Sequence, residues 1–258
     1  MWSRLWDLYR YRVLVQSLVL RELKARYRGS VLGFLWSFLN PLLLMGVYTL
    51  VFSVYMRNPM EHYAVFLFCG LLPWLWFATS LSNGAASITA GGHLLKKVAF
   101  PAEILPVVAV LHNLINFILG IPILLLFILA FGRSLAPSLA AFPVVVLIQW
   151  ILTTGIVLVL AALNVYLRDI EQVLGNLLTL LFFMTPILYP LSLVPEAYRP
   201  FLLLNPLAPL MLAYQDIFYY GRFPHWGHLA ILGLLAVLVF WLGYVIFDRF
   251  RDTLVEEV

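Results

Sequence analysis

The chain has 258 residues, of which 64% are hydrophobic and 11% are charged, and its mean hydropathy is +0.98. A water-soluble protein of this length needs far more polar surface, so the composition excludes the soluble classes and predicts an all-α polytopic membrane protein. The net charge of +4 does not indicate nucleic-acid binding, because the basic residues lie beside apolar segments, where they set the orientation of a membrane protein.

The first predicted element is an N-terminal arm, 1–30, in front of the first apolar segment. Apolar residues recur in it at helical spacing: Val13, Leu20, Leu23 and Tyr27. Four basic residues lie beside them: Arg21, Lys24, Arg26 and Arg28. This pattern predicts an amphipathic helix on the inner leaflet, where basic side chains meet anionic lipid headgroups. Simple charge anchoring of the first span explains the same residues, and charges scattered through the arm do not indicate a cleaved signal peptide.

Six segments with few or no charges follow the arm. They are 33–56, 63–82, 104–131, 140–165, 173–190 and 229–247. About 20 apolar residues suffice to cross a bilayer as a helix, so the sequence predicts six transmembrane helices. With six crossings, twelve of the sixteen Lys and Arg residues fall on one side and four on the other. Because Lys and Arg concentrate in cytoplasmic loops, we expect a multi-pass protein of the cytoplasmic (inner) membrane with both termini in the cytoplasm.

The loop 83–103 is the longest predicted cytoplasmic connection. Gly91 and Gly92 precede the stretch HLLKKVAF, and Pro101 follows it. Breakers on both sides predict a short interfacial helix, of a kind that docks another protein. A solvated basic linker is the alternative.

The segment 191–228 is apolar but cannot form a straight span, because Pro200, Pro206 and Pro209 interrupt it within ten residues. It predicts re-entrant helices that dip into the outer leaflet and return at the turn Asn205-Pro206. A cap lying on the outer surface is the alternative. The whole chain, 1–258, is predicted to be one transmembrane domain, with spans one to five in 31–190 and the last span and tail in 229–258.

Catalytic and metal-binding patterns are missing from the sequence. There is no GxxxxGK[ST] stretch, so the chain does not carry its own P-loop ATPase. No acidic residue lies in the middle of a predicted span, which leaves an ion-coupled carrier without a coupling carboxylate. His225 and His228 lack further ligands, so no metal site and no catalytic residue are predicted. His112, with Asn113 and Asn116, places polar groups in the third span, where they either bond neighbouring helices or face a wet lumen.

Aromatic residues make up 16% of the chain and cluster near the ends of spans. Examples are Trp74, Trp76, Phe77, Phe182, Phe183, Tyr189, Tyr219 and Tyr220. The default interpretation of this distribution is an interfacial belt, and a surface on which sugar rings stack is the alternative.

Five stretches carry a resemblance to a known family. They are LRELKARYRGSVLGFLWSFLNPLLLMGVYTLVF at 20–52, KKVAFPAEILP at 96–106, NVYLRDIEQVLGNLL at 164–178, FFMTPILYP at 182–190 and LNPLAPLMLAYQDIFYYG at 204–221. In this order and over nearly the whole chain, they closely resemble the membrane subunits of ABC-2 type polysaccharide exporters, the permeases for O-antigen, capsule and teichoic acid.

The resemblance implies a homodimer of permeases with two separate ATPase subunits, which bind the ATP and Mg, so this chain itself is expected to hold no cofactor. It implies a channel for a glycan on a polyprenyl-diphosphate lipid. The residues implied to contact the ATPase are Lys96, Lys97, Phe100, Pro101, Arg168 and Asp169. Arg21, Lys24, Arg26 and Arg28 match the membrane-interface helix, and Asn205 and Pro206 match the re-entrant turn. Candidate aromatics of the glycan channel are Trp74, Phe182, Phe183 and Tyr189.

Three other functions stay open at this point. An ABC-2 exporter of a drug or small lipid shares the six spans and the external ATPases. An ion-coupled carrier predicts transport without an ATPase and two related halves, which the sequence does not show. A membrane glycosyltransferase predicts turnover of a nucleotide sugar, yet Asp169 and Glu171 lie beside Arg168 in a very short connection.

Overall fold

A computed structural model describes residues 10–27, 32–57, 60–97, 100–132, 136–167 and 169–257, without the side chains of 25–27, 34 and 252–257. Its helices are α1 (Arg12–Tyr27), α2 (Trp36–Thr49, continued by a π-helix Leu50–Tyr55), α3 (Tyr63–Ala85), α4 (Ser87–Lys97), α5 (Ile104–Ala130), α6 (Phe142–Tyr166, preceded by a 3₁₀ turn Pro137–Ala141), α7 (Ile170–Met184), α8 (Arg199–Leu204, preceded by a 3₁₀ turn Glu196–Tyr198), α9 (Leu207–Gln215, continued by a π-helix Asp216–Tyr220) and α10 (Trp226–Glu257).

Five helical stretches are long and apolar enough to cross a membrane. They are Trp36–Tyr55, Tyr63–Ala85, Ile104–Ala130, Pro137–Tyr166 and Trp226–Arg251. Each coincides with one of the predicted spans, which confirms the helical, multi-pass membrane fold. In α3, 78% of the residues in its apolar 18-residue stretch are buried inside the chain, whereas only 6% of the corresponding residues in the first span, Trp36–Tyr55, are buried. The chain is therefore packed around α3, with α2 at its edge.

The predicted span 173–190 is not a single helix. The helix here, α7, has 15 residues, and a helix of that length is only about 22 Å long, shorter than the hydrocarbon core of about 30 Å. It ends at Met184 because Thr185 adopts an extended backbone and Pro186 follows, and a residue before proline disfavours the helical conformation. The rest of the predicted span, Thr185–Pro190, is irregular.

The contacts between helices define two ends of the bundle. At the arm end, α1 and α4 pack against α5, and the rings of Tyr166 and Phe250 lie 5.5 Å apart. At the far end, the Tyr219 hydroxyl donates to the carbonyl of Glu61 at 2.6 Å, and the Ser138 hydroxyl donates to the carbonyl of Ile217 at 3.1 Å. The chain reaches the arm end again at the start of α7 and the far end again at the start of α10.

The buried face of α1 differs from the apolar stripe predicted for it. Val13 and Leu20 are 68% and 54% exposed, whereas Leu18 and Val19 are buried. The helix packs its buried face on α5 rather than resting on lipid with all its apolar residues, so apolar side chains occur on both faces. The periodic pattern alone could not distinguish the face of α1 that packs on α5 from the exposed face.

Close contact between α6 and α10 depends on two glycines. A Cβ atom built on Gly155 would lie 2.6 Å from backbone atoms of Phe240, and one built on Gly243 would meet the carbonyl oxygen of Gly155. Small residues allow membrane helices to approach closely, because association there relies on van der Waals contact. Among the described helices, α6 and α10 form the most extensive pair.

Candidate functional site

The irregular segment Thr185–Pro190, called the break below, connects α7 to the helices that follow. Its residues are buried or half-buried, although its backbone makes no helix. In a bilayer, such backbone is tolerated only where protein or water supplies the hydrogen bonds.

Three distant side chains supply hydrogen bonds to the break. The Tyr63 hydroxyl donates to the carbonyl of Leu188 at 2.8 Å, and Gln215 Nε2 donates to the carbonyl of Pro186 at 2.7 Å. In addition, Asn205 Nδ2 donates to the hydroxyl of Thr185 at 2.9 Å. The break is therefore fastened both to α3 and to the helices after it.

The helices after the break form a bent pair. The axes of Glu196–Leu204 and Leu207–Tyr220 are bent by 108°. The bend falls at Asn205-Pro206, where Asn205 Oδ1 accepts a hydrogen bond from the backbone N–H of Leu207 at 3.0 Å. The predicted position of the turn thus coincides with the observed bend.

The two limbs of the bent pair begin and end on the same side of the bundle. Arg199, which starts α8, and Arg222, which follows α9, line one cavity of about 560 Å³ at the far end. The chain therefore enters and leaves the bent pair at this end, the arrangement that the sequence predicts for re-entrant helices.

The far-end cavity is lined by charged and ionisable side chains. Arg222 Nη2 lies 2.7 Å from Asp216 Oδ1, and the rings of His225 and His228 stack at 4.4 Å. Arg199 lies 3.5 Å from the exposed carboxylate of Glu196. In the part of the chain that the structure describes, no three His, Cys, Asp or Glu side chains are arranged to hold a metal ion.

The candidate channel aromatics form one cluster. The ring of Phe182 lies 5.5 Å from Trp74, 5.7 Å from Tyr48 and 5.3 Å from Phe183. The Tyr189 hydroxyl donates to the carbonyl of Phe183 at 2.9 Å. Trp74 and Phe182 are buried within the chain, Tyr189 is half-buried, and Phe183 is 57% exposed. Phe183 is thus the exposed edge of a cluster that Tyr48, not singled out from the sequence, helps to support.

Helix α7 presents two kinds of exposed surface. A polar stripe consists of the exposed residues Gln172, Asn176 and Thr179, and the exposed ring of Phe183 lies at its far end. An apolar stripe, about 100° further round the helix, consists of the exposed residues Val173, Leu177, Leu180 and Met184. Leu174, Leu178 and Phe182 are buried on the remaining side. No described part of the chain covers the polar stripe, and polar side chains at membrane depth face protein or water rather than lipid.

The candidate ATPase-contacting residues lie at the arm end. Lys96 and Lys97 are exposed at the C-terminus of α4, Phe100 is half-buried and Pro101 is buried. Asp169, exposed, directly precedes α7, whereas Arg168 lies outside the described residues. Phe100 and Val165 pack against the same apolar cluster, so the two connections lie on one surface.

Two polar contacts that the sequence did not suggest brace this surface. Asn164 Nδ2 donates to Glu171 Oε1 at 2.8 Å across the connection between α6 and α7. The buried Glu103 carboxylate lies 3.8 Å from Arg251 Nε near the end of α10.

The basic residues of the arm are only partly described. Arg21 and Lys24 have exposed side chains, and Arg21 pairs with Glu22 at 3.3 Å. Arg28 and the side chain of Arg26 lie outside the described part of the chain. The polar group in the third span does bond a neighbouring helix, because the Ser37 hydroxyl of α2 donates to Asn116 Oδ1 at 3.3 Å.

Comparison with known proteins gives one family over most of the chain. The family described as "ABC-2 type transporter" matches residues 13–219. The chain is 48% identical over 254 residues to the O-antigen export system permease protein RfbA of Myxococcus xanthus, covering 98% of each protein. It is 34% identical over 239 residues to the protein of that name from Klebsiella pneumoniae, covering 92% of this chain and 91% of the relative. It is 25% identical over 251 residues to the polysialic acid transport protein KpsM of Escherichia coli, covering 95% of this chain and 96% of the relative.

Proposed function

This chain belongs to the ABC-2 type transporter family, and we propose from that premise that it is the channel-forming subunit of an ATP-driven exporter of a lipid-linked polysaccharide. It is a membrane subunit of a transporter and not an enzyme. The proposed cargo class follows the relatives, which are named for O-antigen export and polysialic acid transport. The proposed carrier lipid is a polyprenyl diphosphate.

The structural argument for a channel rests on the polar stripe of α7. Gln172 and Asn176 would be unfavourable against hydrocarbon, so they require a protein or water surface opposite them. The Thr179 hydroxyl lies on the same stripe and donates to the carbonyl of Gly175 in its own helix. Two copies of the chain that turn these stripes toward each other enclose a polar channel, while the apolar stripe of each α7 faces lipid. In this homodimer Phe183 and Tyr189 offer ring faces on which sugars stack, and Trp74 and Phe182 hold those rings from behind.

The re-entrant pair suits the role of an outer closure. It lies at the far end, beside the break, and its attachment to the break runs through single hydrogen bonds from Asn205 and Gln215. The limb Leu207–Gln215 is buried against α3 and α6, whereas the limb Arg199–Leu204 has no buried residue. Movement of the Arg199–Leu204 limb opens or closes the outer mouth without disturbing the other helices. The arm end faces the cytoplasm in this arrangement, with both termini on that side of the cytoplasmic membrane.

Two separate ATPase subunits supply the force. They bind ATP and Mg and dock on the arm-end surface that holds Lys96, Lys97 and Asp169. Closure of the ATPases pushes on the ends of α4 and α7, and because α7 leads directly into the break, that push reaches the re-entrant pair. The exposed basic residues Arg21 and Lys24 hold α1 against anionic headgroups.

Thiol accessibility tests the channel assignment. With Cys69 replaced by Ser, the cysteine of Asn176→Cys is expected to react with a charged, membrane-impermeant thiol reagent in the assembled transporter, because a wet lumen admits both the reagent and the reactive thiolate. Leu180→Cys on the apolar stripe of the same helix is the matched control and is expected to stay unreacted in lipid. Equal labelling of the two positions, or labelling of Leu180→Cys alone, would contradict the channel.

A further inference from the structure

A second membrane-embedded cavity, of about 440 Å³, lies between α2, α3 and α5. Its polar lining consists of Ser37, Asn40, Thr79, Asn113 and Asn116. Thr79 is six residues from the end of α3 and Asn113 nine residues from the start of α5, which places these groups about 9–14 Å from the arm end. Trp36 and Asn40 on the edge helix α2 form an exposed rim, so the cavity opens sideways toward the bilayer.

This cavity is separate from the proposed channel surface. Trp74 and Trp76 are two residues apart on α3, and two residues turn a helix by about 200°. Accordingly, Trp74 contacts Phe182 of α7, whereas Trp76 stacks on Phe117 of α5 at 5.1 Å and lines the cavity. The cavity therefore lies on the opposite side of α3 from the polar stripe of α7.

The lining is polar without being charged. Among the residues that the structure describes, it contains amides and hydroxyls but no Asp, Glu, Lys or Arg. The Ser37 hydroxyl donates to Asn116 Oδ1 and Asn113 Nδ2 donates to the carbonyl of Ala109. Because each amide has two N–H donors and a carbonyl that accepts more than one hydrogen bond, the asparagines keep capacity for the hydroxyls of a ligand. A charged ligand finds no counter-ion here, and a lipid tail would leave buried amides opposite hydrocarbon at a cost in free energy.

Aromatic faces complete the lining. Trp36, Trp76 and Phe117 contribute rings, and of these Trp36 is 38% exposed at the rim. Rings next to amides suit a ligand that has apolar C–H faces and hydroxyls round its edge. An uncharged pyranose sugar has this combination, and the volume is within the range of small-ligand sites of about 300–1,000 Å³.

We propose that this cavity binds an uncharged sugar unit of the lipid-linked cargo. The sugar enters sideways past Asn40 from the headgroup layer, and Asn113 and Asn116 hold its hydroxyls while the exposed ring of Trp36 offers a stacking face. The proposal rests on the proposed function and adds to it a binding site on each copy of the chain, outside the channel.

Native mass spectrometry of the full-length assembled transporter tests the site. The probes are dodecyl maltoside, which carries a disaccharide, and dodecyl octaethylene glycol ether, which has the same alkyl tail and no sugar. We expect retained maltoside, about one per chain, and no retained polyether. Asn113→Leu is expected to lower maltoside retention about tenfold, since a lost hydrogen bond to a buried polar partner has that effect.

Two further variants separate binding from folding. Asn40→Leu changes only the exposed rim and is expected to weaken retention without lowering the melting temperature. Asn83→Leu, at an exposed position near the end of α3 and outside the cavity lining, is expected to leave retention unchanged. Equal retention of the polyether, or unchanged maltoside retention in both Asn113→Leu and Asn40→Leu, would overturn the site. Sugar retention without ATP-driven export would instead leave the site standing and refute the proposed function.

Discussion

Replacing Gln215 with Met tests whether the break controls the outer closure. Gln215 is 1% exposed, and its Nε2 donates to the carbonyl of Pro186 at 2.7 Å, while its own Oε1 has no hydrogen-bond partner. Methionine has nearly the same length and volume but cannot donate. The substitution therefore removes the hydrogen bond with little change in packing.

The free-energy change expected for Gln215→Met follows from two opposing effects. An unpaired buried carbonyl costs about 1–3 kcal/mol, and removal of the unsatisfied Gln215 Oε1 offsets part of this cost. Hydrogen bonds between membrane helices contribute about 0.6 kcal/mol on average and at most about 1.7. We expect a loss of about 1 kcal/mol, which changes the ratio of open to closed re-entrant pairs by about fivefold.

Dye leakage from vesicles that contain the assembled transporter, without ATP, measures the ratio of open to closed pairs. Gln149→Met is the matched control, because Gln149 is equally buried, donates to the carbonyl of Pro73 at 2.9 Å and also has an unpartnered Oε1. It connects two straight helices, so it is expected to lower the melting temperature similarly without increasing the leak. Equal leakage from the two variants, or wild-type leakage from Gln215→Met, would refute the reasoning.

Three further predictions concern packing and the arm end. Gly155→Ala is expected to destabilise the protein by about 1–3 kcal/mol, because the new Cβ overlaps the backbone of α10. The control is Gly46→Ala, whose new Cβ meets nothing within 4 Å. This control is expected to keep or raise the melting temperature in detergent. Arg251→Leu is expected to lower the melting temperature by leaving the buried Glu103 without its ion pair, and a wild-type value would exclude a stabilising role for the pair. Lys97→Glu is expected to reduce co-purification of the ATPase with a normal melting temperature, and normal ATPase binding and export would remove α4 from the coupling surface.

The spans were predictable because a bilayer demands about 20 apolar residues in a row, and five charge-free segments met that demand as straight helices. The turn at Asn205-Pro206 was predictable for a similar local reason, since closely spaced prolines exclude a continuous helix. Both features depend on residues that are neighbours in the sequence.

The break could not be predicted in the same way. Its hydrogen bonds join residues far apart in the chain, such as Tyr63 and Leu188, and no local pattern marks them as partners. The burial of Phe182 under Phe183 likewise depends on how α7 packs against Trp74. The polar stripe of α7 is different, because the helical spacing of Gln172, Asn176 and Thr179 was visible in the sequence and was overlooked.

The shortness of α7 affects the lipid around it. Its apolar stripe runs from Val173 to Met184, which corresponds to about 17 Å of helix, against a hydrocarbon thickness of about 30 Å. Such hydrophobic mismatch makes neighbouring acyl chains tilt or compress, at a modest cost for each ångström. We therefore expect the membrane beside α7 to be locally thinned, which would shorten the path between the two leaflets for the proposed lipid-linked cargo.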